Sequence, residues 1–243
     1  DAQVFINHRA LLAKEMPEQS LLFLFAGAPK QKTLDMDYPF RVDNNYYYMT
    51  GFDKANQFMM MTKLDGKVNE WLFIDRPDPY LERYFGKMID LEEAAEKSGI
   101  ANVRYLDRFD WEIGRLLSRN NFKTLLMDFH KRELITVAYP DNEMCSLITE
   151  AHPYLTVSNI APVINNLRRV KCAQEVECVK RAIAITEEGI KAILDHLRPG
   201  VNEAELQAHF DFALTMNGAK DNAFDPIIAG GVNSNVLHYS KND

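Results

Sequence analysis

Near the end of the chain, "FDPIIAGGVNSNVLHY" places one histidine, His238, and its neighbour Tyr239 behind two adjacent glycines, Gly230 and Gly231. Histidine is the usual proton mediator near neutral pH. A glycine-bearing turn after a strand is also where an α/β protein exposes a side chain to a ligand. From the residues alone, His238 is either such a group or an ordinary surface histidine. His196 and His209 lie on or beside helical segments without the i, i+4 spacing of a zinc-protease helix, and His130 and His152 fall near element ends. Surface or packing roles are expected of these four. "DMD" at Asp35 to Asp37 and "DRPD" at Asp75 to Asp78 offer paired carboxylates without the companion ligands of a metal site, so solvated loops are expected. The sequence holds no G-x-G-x-x-G or Walker A phosphate loop and no G-x-S-x-G nucleophile elbow.

The elements that would position these residues alternate along the first half. "VFINHRALLAKEM" has helical spacing, with Val4, His8, Leu11 and Leu12 near one face. "SLLFLFAG" reads as a buried strand ended by Gly27 and Pro29. "QFMMMTK" and "VNEWLFID" flank "LDGK", where Asp65-Gly66 signals a hairpin because Gly tolerates positive φ. Helical patterns follow in "LERYFGKM" and "LEEAAEKSG", the second stopping at Gly99. Then come a strand in "VRYL", a helix in "DRFDWEIGRLLSRN", a strand in "KTLLMDF", a helix in "NEMCSLITEAH" and a short strand in "YLTVS". This rhythm predicts an α/β domain with an antiparallel hairpin inside a mixed sheet.

The pattern changes near residue 160. "NIAPVINNLRRVK" predicts a short helix leading into a long one, in which Val176, Val179, Ile183, Ile190, Ile193 and Leu197 recur at helical spacing. Pro199-Gly200 ends it. Asn202 is expected to cap a further helix, with Glu205 completing a capping box. "AFDPIIAGG" reads as the first strand of a new sheet whose partners the chain does not supply. A half-built domain exposes apolar surface, so the region after about residue 165 is expected to be less ordered than what precedes it.

The composition bounds the function class. The chain has 243 residues, 47% hydrophobic and 26% charged, a recipe with ample material for a core. Its net charge of -7 speaks against long nucleic acids as partners, since such binding rests on neutralised phosphates. The longest apolar stretch, "LLFLFAGAP", is too short to span a bilayer, which needs about 20 residues. Cys145, Cys172 and Cys178 form an odd set without framework spacing, so a soluble, reduced, cytoplasmic protein is expected.

Two stretches carry a resemblance. "YPFRVDNNYYYMTGF" contributes Phe40, Arg41, Asn45, Tyr48 and Gly51-Phe52. The stretch from "LRRVKCAQEVECVK" through "FDPIIAGGVNSNVLHY" contributes Arg168, Lys171, Glu175, Pro199-Gly200, Glu203, Gly231, Asn233 and His238-Tyr239. In this order, covering nearly the whole chain, they resemble the Xaa-Pro aminopeptidase (aminopeptidase P) family, whose wider group includes prolidase and creatinase. The resemblance implies an α/β creatinase-like N-terminal domain, a mixed sheet flanked by helices, over residues 1–160. It implies a linker helix and the start of an α+β pita-bread metallopeptidase domain over residues 161–243.

The same resemblance implies an activity. The family hydrolyses the bond before proline with two divalent metal ions, commonly manganese, held by two Asp, one His and two Glu. A water activated by both metals attacks the carbonyl. His238 matches a histidine beside those metals and is the expected catalytic residue. Tyr84 lies in "YFG", which resembles a segment that lends an aromatic, usually Trp, to the neighbouring subunit's site, and is the expected substrate-binding residue. The family's first metal ligands lie downstream of the His-Tyr segment, so no metal ligand is expected in this chain, and it is expected to bind no metal and to be inactive alone. The implied partners are proline-containing peptides and further copies of the chain, joined through the N-terminal domain, with neither nucleic acid nor membrane. Prolidase action on Xaa-Pro dipeptides, or a non-catalytic interaction module, stand as alternatives.

Overall fold

The computed structural model describes residues 2–129 and 140–243, so His130 lies outside the described residues. Two compact units divide the chain, residues 1–170 and 171–243.

The first unit opens with α1 (Ala2–Glu15), whose inner face carries His8, Arg9 and Leu12. Strand β1 (Ser20–Phe25) follows and is buried along its whole length. α2 (Asn44–Thr50) was not legible as a helix in a run of asparagines and tyrosines, and Asp43 makes it possible. Its side chain accepts from the backbone N–H groups of Asn45 and Tyr46, both at 2.8 Å, satisfying donors the first helical turn leaves open. Gly51 ends the helix at φ 72°. A side chain there would run into the ring of Phe5, so glycine is required on two grounds.

β2 (Phe58–Leu64) and β3 (Lys67–Ile74) form the predicted hairpin. Asp65 and Gly66 both take positive φ, 51° and 71°, the conformation whose twist suits two-residue hairpin turns. α3 (Pro79–Phe85), α4 (Leu91–Ser98), β4 (Asn102–Tyr105), α5 (Phe109–Arg119), β5 (Thr124–Met127), α6 (Pro140–Ala151), β6 (Thr156–Asn159) and α7 (Ala161–Arg169) complete the unit.

Among the described residues, six strands order as β4-β3-β2-β1-β5-β6. β1 pairs antiparallel with β2, and β2 with β3, while the β1–β5, β3–β4 and β5–β6 pairs are parallel. Successive strand residues face opposite sides, and the apolar strands feed a core on each face. Leu22, Leu24, Met59, Met61, Leu72 and Ile74 pack with Leu12, Tyr46, Met49, Ala94 and Ile164 of α1, α2, α4 and α7. Leu21, Phe23, Met60, Phe73, Leu125 and Met127 pack with Ile113 and Leu117 of α5 and Ile148 of α6. The result is the expected mixed sheet between helical layers.

The second unit is a helical hairpin with a long C-terminal arm. α8 (Ala173–His196) and α9 (Glu203–Met216) approach closely at Gly189, where a Cβ would meet Phe210 and Leu214. Two expectations are corrected here. Asn202 caps α9 by accepting from Ala204 N at 2.7 Å, but no capping box forms, because Glu205 turns to Arg198 at 2.7 Å instead. The segment "AFDPIIAGG" is not a strand. Side chains take up backbone groups that a sheet would otherwise pair: Asn242 accepts from Ile228 N and donates to Pro226 O, and Glu203 accepts from Gly230 N. Among the described residues no helix is long and apolar enough to cross a membrane.

Candidate functional site

The turn before His238 is built around one carboxylate. Glu203, the first residue of α9, accepts from Gly230 N at 2.5 Å and from Asn233 Nδ2 at 3.1 Å. Asn233 sits in a short 3-10 helix, Gly231–Asn235, and also donates to Tyr239 Oη at 3.1 Å. The Tyr239 hydroxyl in turn donates to Asp243 Oδ1 at 2.8 Å. Three residues singled out in the sequence, Glu203, Asn233 and Tyr239, thus meet in one knot. The Gly230 N–H, the largest cause, holds the Glu203 carboxyl below its ordinary range. Desolvation first, then the Asp243 carboxylate, pushes the Tyr239 phenol up to about 12.

His238 itself lies beside this knot in the chain. It is exposed and follows the 3-10 turn rather than a strand. Tyr239 is 8% exposed whereas Leu237 is 89% exposed, so the knot anchors one neighbour and leaves the histidine presented to solvent. An imidazole so placed can exchange a proton with, or donate a hydrogen bond to, a bound group. His196 and His209 stack at 3.5 Å between ring centroids, at the end of α8 and on α9. His152 lies after α6 with its ring at 5.7 Å from that of Tyr154. All three fill the packing or surface roles expected of them.

Tyr84 belongs to the other compact unit, on α3. Asp78 caps this helix, Pro79 begins it and Gly86 closes it. Tyr80, Tyr84 and Phe85 are 66%, 65% and 84% exposed, and the Tyr80 and Tyr84 rings lie 5.1 Å apart. The two candidate site residues therefore each stand on a surface, in separate units.

Three other motif residues of the first unit, Arg168, Asn45 and Tyr48, make structural contacts. Arg168 Nη1 donates to Asn45 Oδ1 at 2.7 Å, and Asn45 Nδ2 donates to Asp128 Oδ2 at 2.8 Å. This buried chain ties α7, α2 and the end of β5 together. Tyr48 stacks on His8 at 3.7 Å. Asp128, Asn242 and Asp243 were not anticipated, because their partners are distant in sequence or at the extreme end of the chain.

Residues 5–126 match the family Aminopeptidase P, N-terminal domain, and residues 177–243 match Metallopeptidase family M24. The chain belongs to the aminopeptidase P family. An Xaa-Pro aminopeptidase of Haemophilus influenzae is 26% identical over 98% of this chain and 53% of its own length. A solved Bacillus anthracis structure of an aminopeptidase P candidate superposes with a TM-score of 0.97 at 37% identity, covering 100% of this chain and 58% of that one. Proline aminopeptidase P II from Yersinia pestis gives 0.88 at 25% identity, over 100% of this chain and 56% of that one. The chain thus spans about half the length of the relatives it matches.

The M24 family implies divalent metal ions. Among the described residues of the second unit, no three His, Cys, Asp or Glu side chains bring their ligand atoms together. The described residues of the second unit by themselves form no such centre.

Proposed function

We propose that these residues are the N-terminal domain and opening catalytic segment of a metal-dependent Xaa-Pro aminopeptidase, which releases the residue preceding an N-terminal proline bond. The observation that carries this reading is the succession of the two family matches in one chain, the second ending on the knot that presents His238. Proline fixes φ and leaves its nitrogen without a hydrogen, so hydrolysis of its tertiary amide calls for a dedicated site. On this reading His238 acts beside two divalent metals, manganese, held by ligands outside these residues, and Tyr84 reaches the site of a neighbouring subunit. Proline-containing peptides are the substrates, the N-terminal domain joins copies of the protein, and three cysteines without a disulfide support a reducing, cytoplasmic setting.

The test is release of alanine from a peptide beginning Ala-Pro. The 243 residues alone release none, with or without manganese. The polypeptide continued through a complete M24 domain releases it when divalent metal is added. Metal-dependent release by the 243 residues alone would overturn the assignment of the metal ligands elsewhere. No release by the longer polypeptide would overturn the function.

A further inference from the structure

A cleft of about 320 Å³ opens in the first unit between the loop that follows α2 and the loop that follows α3. That volume lies at the lower end of what small-molecule sites take, about 300–1,000 Å³. Leu81, Met88 and Ile89 give the cleft an apolar wall. Gln57 lines it as well and is only 3% exposed. Its Oε1 accepts from the Tyr46 hydroxyl at 3.2 Å, while its side-chain NH2 has no hydrogen-bond partner among the described residues.

Charges of both signs stand at this cleft, and they are unevenly satisfied. Lys87 pairs with Glu93 at 2.5 Å, and Lys97 pairs loosely with Asp53 at 3.9 Å. Asp75 and Lys54 line the cleft too. Among the described residues neither side chain has an ion pair or a hydrogen bond. Burial pushes the Asp75 carboxyl up from its ordinary range, with no cation opposing it.

This lining selects among ligand chemistries. A phosphate or other simple anion would meet the carboxylates of Asp53 and Asp75, and a metal cation would meet the ammonium groups of Lys54, Lys87 and Lys97. An uncharged apolar molecule would cover Asp75 and Lys54 without pairing either, which is unfavourable. A small zwitterion with an apolar body meets every demand.

We propose that the cleft binds a free α-amino acid with an apolar side chain. Its ammonium lies beside Asp75, its carboxylate beside Lys54 and the Gln57 NH2, and its side chain against Leu81, Met88 and Ile89. Such binding needs no metal and no peptide bond, so it is independent of the activity proposed above.

The test is a titration of the isotope-labelled 243-residue chain with leucine, followed by amide chemical shifts. It runs to about 10 mM, enough to saturate a site of millimolar affinity. Shifts are expected at Gln57, Gly86 and Met88. Asp75→Asn and Lys54→Met each weaken binding about tenfold, as loss of a contact to a charged group does. Both positions are exposed, and unchanged spectra away from the cleft report that the variants fold. N-acetyl-leucine lacks the ammonium, leucinamide lacks the carboxylate and glycine lacks the apolar body, so all three bind more weakly than leucine. Absence of shifts with leucine would overturn the site. Shifts that persist undiminished in Asp75→Asn, or equal binding of N-acetyl-leucine, would overturn the zwitterion. Tighter binding of a leucine-containing dipeptide would overturn the free amino acid as the ligand.

Discussion

Asn45 shows how one side chain can carry a domain boundary's worth of order. Its amide accepts from Arg168 and donates to Asp128, so Asn45→Ala removes a donor from a buried carboxylate and an acceptor from a guanidinium. We expect a loss of about 1–3 kcal/mol, read as a lowered urea midpoint. Glu203 is legible through pH instead. Its carboxyl is held below the ordinary range by the Gly230 N–H, so folding favours the ionised form. That stabilisation is present at neutral pH and disappears as pH falls through the folded-state value. Glu203→Gln should therefore lower the denaturation midpoint of the second unit at neutral pH and converge with the unsubstituted chain in acid. On the proposed function, His238 belongs to chemistry rather than stability. In the polypeptide continued through a complete M24 domain, His238→Ala should lower kcat/KM about 100-fold or more while leaving the thermal midpoint unchanged, since the residue is exposed.

At the scale of elements, caps decide where helices begin. Asp90 and Glu93 form a reciprocal capping box on α4, and Asp90→Ala should lower stability by about 1 kcal/mol in the same urea measurement. The hairpin turn is stricter: Gly66 sits at φ 71°, and Gly66→Val should cost about 1–2 kcal/mol, since a branched side chain resists that conformation. Much of this level could be read in the sequence. "LDGK" gave the hairpin its turn, and alternation of apolar residues gave the strands their two buried faces. α2 was hidden because its stability comes from Asp43 and from burial of Tyr46 and Met49, not from helix-forming residues. "AFDPIIAGG" misled because an apolar run flanked by glycines looks like a strand whether or not another strand lies beside it. The position of His238 on an exposed turn was readable from its glycines, while the Glu203–Asn233–Tyr239–Asp243 knot that fixes the turn joins the start of α9 to a segment 30 residues further on and leaves no local sign.

At the scale of the molecule, the two compact units differ in how much apolar surface they hide. The first has two cores on one sheet. In the second, Val179, Ile183, Leu194, Phe212 and Met216 are 51%, 54%, 61%, 67% and 70% exposed. Amide hydrogen exchange should accordingly run faster across residues 171–243 than across the β1, β2 and β5 strands, with the second unit opening at lower free energy. Equal protection in both would mean that the helical hairpin is more stable than its burial suggests.

The pairing of β1 with β5 sets Ser20 beside Thr124, and this has a consequence during synthesis. The β2–β3 hairpin can close as soon as it leaves the ribosome, but β1 must wait, one edge open, until the chain as far as Met127 has emerged. Until then the apolar "LLFLF" of β1 can pair only with β2, and its other side is a template for any passing strand. A pause in translation between residues 64 and 127 should therefore make the nascent chain a client of chaperones, in proportion to the length of the pause.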